Sequence, residues 1–332
     1  MVAAIFCPIA VGMLQFVGEE NIAASRLAVP ILLAISWGSG IGGFGSPIGS
    51  PANLVAISYM EQLTGREFMY VQWIGRFVPI LLIIFLVNLL FLWHLKTPAK
   101  NFHGTREEFQ KMYADLGPMK KGEQICFWLF FLAIFLAFAR PLYAPLLPGL
   151  KPAYVFLIIG MMMFVLRDEK GDVLLTWKFA ESHAMWGIMI MASSGLGLGR
   201  LIIETGAVER MAALFSALHL TGGFVTMFLF CAFACFMSEM SSNTGAASIC
   251  IPMVISLSGA LSLNPIPYVL GTVAACSCAY VLPVTTRAIP VGFGLDASVQ
   301  MREGLKLTLL SLVINAVVCW LSMEYLPLFS HL

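Results

Sequence analysis

Three consecutive polar residues interrupt an otherwise apolar stretch at 222–260, and their side chains could bind small ions. Ser242, Asn243 and Thr244 supply two hydroxyls, one amide and a turn of freed backbone. Such oxygens can coordinate a sodium ion, while N–H groups at a helix N-terminus can hold a carboxylate or a sulfate. The alternative is a structural cap, with Asn243 or Thr244 capping a helix that begins near Gly245.

Two loops rich in Gly, Pro, Ser and Thr break long apolar segments elsewhere in the chain. They cover residues 45–55 and 281–291, and an ungapped alignment places Pro47 on Pro283. Proline removes a backbone donor and glycine permits close approach, so unwound backbone would present carbonyl groups to a cation. Paired interruptions of this kind in two halves of a membrane protein indicate a transporter binding site. The alternative is a pair of kinked helices with structural glycines.

Two ionisable residues lie close to these motifs. Arg287 lies in the second loop, and Glu239 lies three residues before Ser242. Ionisable residues at membrane depth are costly and are therefore functional candidates. A guanidinium can bind a carboxylate or sulfate with two N–H groups, so Arg287 could bind an anion, replace a sodium ion as a fixed charge, or pair with Asp296 or Glu239. Glu239 is interpreted as a brace of the hairpin or as a proton-coupling group.

The composition indicates a membrane protein. Hydrophobic residues make up 59% of the chain and charged residues only 11%, whereas soluble domains carry roughly 25% charged residues. The net charge of +1 gives no indication of a nucleic-acid partner. The eight cysteines lie in apolar runs without metal-ligand spacing, which indicates helix packing. We find no paired acid–base set, and so we predict neither an enzyme nor a cofactor.

The apolar segments predict an all-α polytopic membrane protein. A hydrocarbon core of ~30 Å requires about 20 apolar residues as a helix. The predicted elements are full spans at 70–95, 123–143 and 305–328, shorter ones at 153–167 and 184–203, broken helices at 27–60 and 266–295, and a hairpin at 222–260. Because freed backbone at membrane depth must be satisfied by protein or water, the tip of the hairpin is predicted to be re-entrant.

Lys and Arg are concentrated in residues 96–121, 167–178 and 302–306. Loops rich in these residues face the cytoplasm. This orientation makes the hairpin enter from the outside and leaves the C-terminus outside, and we take the membrane to be the plasma (inner) membrane. Residues 97–122 are then a cytoplasmic polar loop.

The ordered polar motifs resemble those of the divalent anion–sodium symporter family. Residues 238–244 are similar to its Ser-Asn-Thr signature, 49–53 to its first Ser-Pro-Pro-Asn loop, and 277–286 to the segment that leads into its second such loop. The resemblance extends from Met1 to about Leu328. It implies two inverted repeats, each with a re-entrant hairpin and a broken helix, a dianion between the hairpin tips, a sodium ion behind each tip, and a homodimer.

The resemblance also implies roles for individual residues. The substrate-binding residues would be Ser50, Pro51, Ser242, Asn243, Thr244, Thr286 and Arg287. The sodium-binding residues would be Gly49, Ser238, Ser241, Asn243 and Thr285. Sodium is the coupling ion, and no other metal is expected. Arg287 departs from the pattern, because the family usually has proline there.

The first repeat is predicted to be incomplete. Aligning Pro8 with Pro252 places Met1 opposite Gly245, so the first hairpin keeps only its exit helix at about 1–16. We therefore expect a fragment or a wrongly placed start. The chain is divided into 1–96, the remainder of the first repeat, the polar loop 97–122, and 123–332, the second repeat.

These observations predict a secondary active transporter of a small divalent anion, namely a dicarboxylate, citrate or sulfate. It would be sodium-coupled and would work by alternating access, with the hairpins and broken helices moving against a scaffold that holds spans 70–95 and 305–328. Two alternatives stay open: a sodium-independent exchanger in which Arg287 replaces a sodium ion, and a non-transporting fragment or subunit of a split carrier.

Overall fold

The computed structural model describes the chain as a set of helices. It covers residues 2–95, 110–111, 113–115, 117–184, 186, 190, 193–194, 197, 201, 204–206 and 221–330. The helices are α1 (Val2–Phe16), α2 (Ala28–Phe44), α3 (Pro51–Thr64), α4 (Tyr70–Trp93), α5 (Lys121–Phe138), α6 (Arg140–Tyr143), α7 (Pro152–Met162), α8 (Trp177–His183), α9 (Gly223–Met240), α10 (Asn243–Ala260), α11 (Pro265–Cys276), α12 (Ala288–Gly292), α13 (Ala297–Tyr325) and α14 (Pro327–Ser330). Short 3-10 turns cover Ile22–Ala24, Pro47–Gly49 and Thr285–Arg287.

The all-α membrane architecture is confirmed. By length and composition, α4, α5, α9, α10 and α13 could each cross a membrane. Those described residues contain no β-strand, although an isolated bridge joins Arg167 to Val173. The predicted span 184–203 and the polar loop 97–122 lie largely outside the described residues. The division into inverted repeats stays a prediction.

The last long helix begins earlier than predicted. α13 starts at Ala297 rather than near 305, because Asp296 caps it by accepting a hydrogen bond from the Ser298 N–H. The charged residues of its first turns read as a loop in the sequence. In the helix, Glu303 instead pairs with Lys306 at 2.8 Å, one turn along the same face.

Two compact units can be distinguished in the part of the chain that the structure describes. The first comprises residues 2–68, 73–95 and the described residues from 190 to 330, and the second comprises residues 69–72 and the described residues from 110 to 186. In the second unit, α5 packs against α7 around a small core of Leu129, Ala133, Val155 and Ile159. The first unit contains the hairpin and both broken helices, and so all predicted site residues lie in it.

The predicted scaffold is wrong with respect to both full spans. α13 packs against α9 and α11 within the first unit, and α4 joins the same unit, where the Trp73 indole N–H donates to the carbonyl oxygen of Phe44 at 2.9 Å. Span length and hydropathy do not reveal which neighbours a helix packs against. Spans 70–95 and 305–328 therefore belong with the hairpin and broken helices rather than apart from them.

Both predicted breaks occur, but they differ in length. In the first, α2 ends at Phe44, a 3-10 turn follows, and α3 begins at Pro51. In the second, α11 ends at Cys276 and residues 277–284 are not helical. Because proline cannot donate to the preceding turn, it favours a break in both segments.

The helices around the second break are tightly packed. Cys231, Cys276 and Cys319 are fully buried there, together with alanine and valine side chains of α11. Gly271 lies at the centre, where an added Cβ would come within 2.6 Å of the Met227 sulfur. All eight cysteines are free thiols and seven of them are buried, which agrees with the predicted packing role.

Candidate functional site

The hairpin tip consists of a two-residue turn between α9 and α10. The helix after it begins at Asn243, and Ser242 is the cap residue, with its hydroxyl oxygen accepting the Gly245 N–H at 3.0 Å. The sequence predicted a cap at Asn243 or Thr244, which is wrong because the helix starts ahead of Gly245. With Ser242 as the cap, Asn243 and Thr244 belong to the first helical turn and are available for other contacts.

Two predicted sodium ligands meet beneath the tip. The Ser238 hydroxyl oxygen lies 2.9 Å from Asn243 Oδ1 and 2.6 Å from the carbonyl oxygen of Cys276. Ser238 is fully buried at the end of α9. The Ser238 hydroxyl therefore contacts oxygen atoms from two other helices, and oxygen is the type of ligand that a hard cation prefers.

Cys276 is a residue of the candidate site that the sequence did not single out. Its contribution is a backbone carbonyl at the last position of α11. The last four carbonyls of a helix have no intrahelical partner. The identity of the residue carries no signal, and only the position of the helix end makes its oxygen available.

The other two predicted ligands of the second sodium ion are arranged differently. The Ser241 hydroxyl donates to the Met237 carbonyl oxygen at 2.8 Å, within its own helix end. Thr285 has φ of +53°, an uncommon value that is strained for a β-branched residue. Between the described residues, the structure records no hydrogen bond that joins either of them to Ser238 or Asn243. Their role in sodium binding stays a prediction.

The first loop is held together by its own residues. Gly49 lies so close to the Gly43 carbonyl oxygen that an added Cβ would overlap it. The fully buried Asn53 side chain donates to the carbonyl oxygens of Gly43 at 2.9 Å and Ser46 at 2.7 Å. Ser50 caps α3 through the Ala52 N–H, with Pro51 as the first helical residue. The sequence motif gave Asn53 no role of its own, since both of its acceptors are backbone atoms.

The second loop is held by the buried carboxylate of Glu239. Its Oε1 atom accepts the N–H groups of Tyr280 at 2.7 Å and Val281 at 2.9 Å, and its Oε2 atom accepts that of Leu282 at 3.0 Å. The Thr308 hydroxyl of α13 donates to the same carboxylate at 3.2 Å. An unwound segment leaves such donors unpaired, and here one side chain satisfies three of them. This arrangement is the brace proposed for Glu239.

The Arg287 guanidinium completes this network. Its Nη1 atom lies 3.0 Å from Glu239 Oε2 and its Nη2 donates to the Ser238 carbonyl oxygen at 2.8 Å. Of the two carboxylates proposed as partners, Glu239 is the one that pairs with it, whereas Asp296 caps α13. Gln300 holds the Arg287 carbonyl oxygen at 2.9 Å. Anion binding by Arg287 stays a prediction.

A small cavity lies between the first broken helix, the hairpin tip and the second loop. Its volume is about 10 Å³, which is room for one water-sized body. Its walls include Ser36, Trp37 and Gly40 of α2, Asn243 of the tip, and Thr286 and Arg287 of the second loop. Three predicted substrate-binding residues, Asn243, Thr286 and Arg287, are therefore brought together, whereas Ser50 and Pro51 are not among the residues lining this cavity.

The geometry agrees with the similarity of the chain to known proteins. Residues 1–327 match the model of the family described as "Sodium:sulfate symporter transmembrane region". The chain belongs to the sodium:sulfate symporter family. This is the family that the Ser-Asn-Thr motif and the two loops resemble.

Individual relatives agree with this assignment. The chain is similar to "Sodium-dependent dicarboxylate transporter SdcS" of Staphylococcus saprophyticus, with 25% identity over 89% of the chain and 59% of the relative. The Staphylococcus aureus protein of the same name is 25% identical over 92% of the chain and 61% of its own length. An "Uncharacterized transporter" of Haemophilus influenzae is 27% identical over 95% of the chain and 67% of the relative. The chain spans about three fifths of the dicarboxylate transporters it matches.

Proposed function

We propose that this member of the sodium:sulfate symporter family functions as a sodium-coupled secondary transporter of small divalent anions, such as a dicarboxylate or sulfate. The observation that carries the proposal is the meeting of Ser238, Asn243 and the Cys276 carbonyl beneath the hairpin tip, beside a cavity lined by Thr286 and Arg287. A cation held by these oxygens would lie next to an anion that places one of its oxygen atoms in that cavity.

The charges around the cavity support coupling to sodium rather than exchange. A dianion carries two negative charges into a weakly polar site, where each needs compensation. The positive charge of Arg287 is already balanced by Glu239 at 3.0 Å. Arg287 therefore adds no net charge in place of a sodium ion, and bound sodium would supply that compensation.

The fold supports a movement of the first unit as a whole. The hairpin, both broken helices, α4 and α13 are packed together in that unit, and so in an alternating-access cycle α4 and α13 would move with the site. A plasma-membrane location, an outside C-terminus and a homodimer belong to the same proposal. The orientation follows from the distribution of Lys and Arg in the loops, and the homodimer follows from the family resemblance.

The proposal is tested by measuring how sodium changes dianion affinity. The complete protein is purified in detergent, and the Kd values of labelled succinate and sulfate are measured at low and high sodium, with potassium keeping the ionic strength constant. Coupled binding is reciprocal, so sodium is expected to tighten dianion binding roughly tenfold or more. Dianion affinity that does not change with sodium would contradict the proposal.

A substitution at the tip assigns this effect to the oxygens beneath it. Ser238→Ala removes one oxygen and is expected to raise the sodium concentration for half-maximal dianion binding about tenfold. The matched control is Ser248→Ala, since the buried Ser248 hydroxyl donates within its own helix to the Thr244 carbonyl at 2.9 Å. Equal effects of the two substitutions would remove Ser238 from the sodium site.

A further inference from the structure

Two neighbouring residues of α2 carry buried polar atoms at the small cavity. Ser36 and Trp37 are each 1% exposed, and both line the small cavity. In the part of the chain that the structure describes, the Ser36 hydroxyl and the Trp37 indole nitrogen have no hydrogen-bond partner. Buried polar groups are paired in the large majority of cases, so two adjacent exceptions at one cavity point to a ligand.

The chemistry of the lining favours an acceptor over a cation. The indole nitrogen of Trp37 can only donate a hydrogen bond, the Ser36 and Thr286 hydroxyls can each donate one, and the Asn243 amide can donate two. The Arg287 guanidinium, also at the cavity, carries hydrogen-bond donors and no acceptor. An oxygen atom of a carboxylate or a sulfate would accept hydrogen bonds from these groups.

The cavity lies where α2 meets the second loop. Trp37 packs on Tyr280, the residue before the second loop, with ring centroids 5.7 Å apart, and residues of both α2 and the second loop line the cavity. The volume of about 10 Å³ holds one oxygen atom and not a whole dianion. The remainder of the anion would extend past Asn243 and Thr286 at the same cavity.

We propose that Ser36 and Trp37 form a subsite that binds one oxygen of the transported dianion, which rests on the proposed function. The Trp37 N–H and the Ser36 hydroxyl donate to this oxygen. The anion is then held by the first broken helix and the second loop at the same time. Carboxylate and sulfate oxygens share this chemistry, and both are probed in the test.

The test compares dianion affinity in conservative variants of the purified complete protein. Trp37→Phe keeps an aromatic ring but removes the donor, and Ser36→Ala removes one oxygen. Each is expected to raise the Kd of succinate or sulfate about tenfold at saturating sodium, with an unchanged sodium midpoint. The control is Ser258→Ala, because the Ser258 hydroxyl is likewise buried and without a partner among the described residues but does not line the cavity.

The outcomes separate this proposal from the proposed function. Sodium-linked dianion binding that survives in Ser36→Ala and Trp37→Phe as well as in Ser258→Ala would overturn the subsite and leave the proposed function standing. A bound water in place of the anion oxygen gives this same result. Wild-type protein that binds neither succinate nor sulfate would overturn both. Weaker succinate binding with unchanged sulfate binding would assign the subsite to carboxylates.

Discussion

Glu239→Ala is expected to destabilise the protein by about 3–5 kcal/mol, because it leaves a buried charge without its partner. The Arg287 side chain is 5% exposed and its ion pair with Glu239 measures 3.0 Å. The same change leaves the N–H groups of Val281 and Leu282 without their acceptor, and that of Tyr280 with only the Thr308 hydroxyl, at 3.0 Å. The measurement is the thermal or denaturant-induced unfolding of the purified protein in detergent.

The matched control for this substitution is Glu303→Ala. Glu303 is also a buried carboxylate with two cationic partners, but Arg302 and Lys306 are 69% and 58% exposed. Exposed partners keep their hydration, so we expect a loss of at most about 1 kcal/mol. The double variant Glu239→Ala/Arg287→Ala should be less destabilised than the sum of the single changes. Equal losses for Glu239→Ala and Glu303→Ala would contradict a brace at Glu239.

Gly304→Ala is expected to displace α13 from the second loop. An added Cβ would overlap the Tyr280 carbonyl oxygen and lie 2.7 Å from its carbonyl carbon. Both contacts are with backbone, which cannot rotate away as a side chain would, so we expect a loss of about 3 kcal/mol in stability. The displaced segment carries the N–H groups that Glu239 holds, and so sodium-linked dianion binding should also weaken.

The control for Gly304 is Gly259→Ala in α10. No atom outside its own helix turn lies within 4 Å of the Cβ position there. Alanine in a helix is favoured over glycine by roughly 0.5–1 kcal/mol, so this variant should be as stable as the wild type or slightly more so. If Gly304→Ala behaves like Gly259→Ala, α13 does not hold the second loop in the way that we describe.

The sequence predicted the positions of the helices better than the contacts between them. Apolar length and the Gly/Pro interruptions correctly placed α4, the hairpin and both broken helices. They did not show that α4 and α13 pack with the site, because hydropathy indicates that a segment avoids water but not which helix it packs against. The start of α13 was missed because its capping residue, Asp296, lies in a segment that reads as a polar loop.

Residue types predicted which residues belong to the candidate site but not their hydrogen-bond and ion-pair partners. The sequence did not decide whether Arg287 binds the anion, replaces a sodium ion or pairs with a carboxylate. Only the fold shows that Glu239 lies 3.0 Å from it. Asn53 and Cys276 act on or through backbone atoms, which residue types do not encode. Ser36 and Trp37 were missed since they lie in the middle of an apolar helix.

The two aligned loops also differ in backbone conformation, which the sequence alignment does not show. Gly49 and Thr285 occupy equivalent positions, and both were predicted to bind sodium. Gly49 is required by the close approach of the Gly43 carbonyl, whereas Thr285 adopts a φ of +53°. The two aligned loops therefore have different backbone conformations. The Asn53 amide donates to backbone carbonyl groups of the first loop, whereas the Glu239 carboxylate accepts backbone N–H groups at the second.

The most direct test of the account is uptake of labelled succinate and sulfate by the complete protein in sealed vesicles. Sodium is supplied outside, and the comparison replaces it with potassium at equal ionic strength. We predict uptake that requires sodium and that Ser238→Ala shifts to higher sodium concentrations. Uptake that proceeds equally in potassium would contradict sodium coupling, and protein that takes up neither anion in either salt would contradict the proposed transport itself.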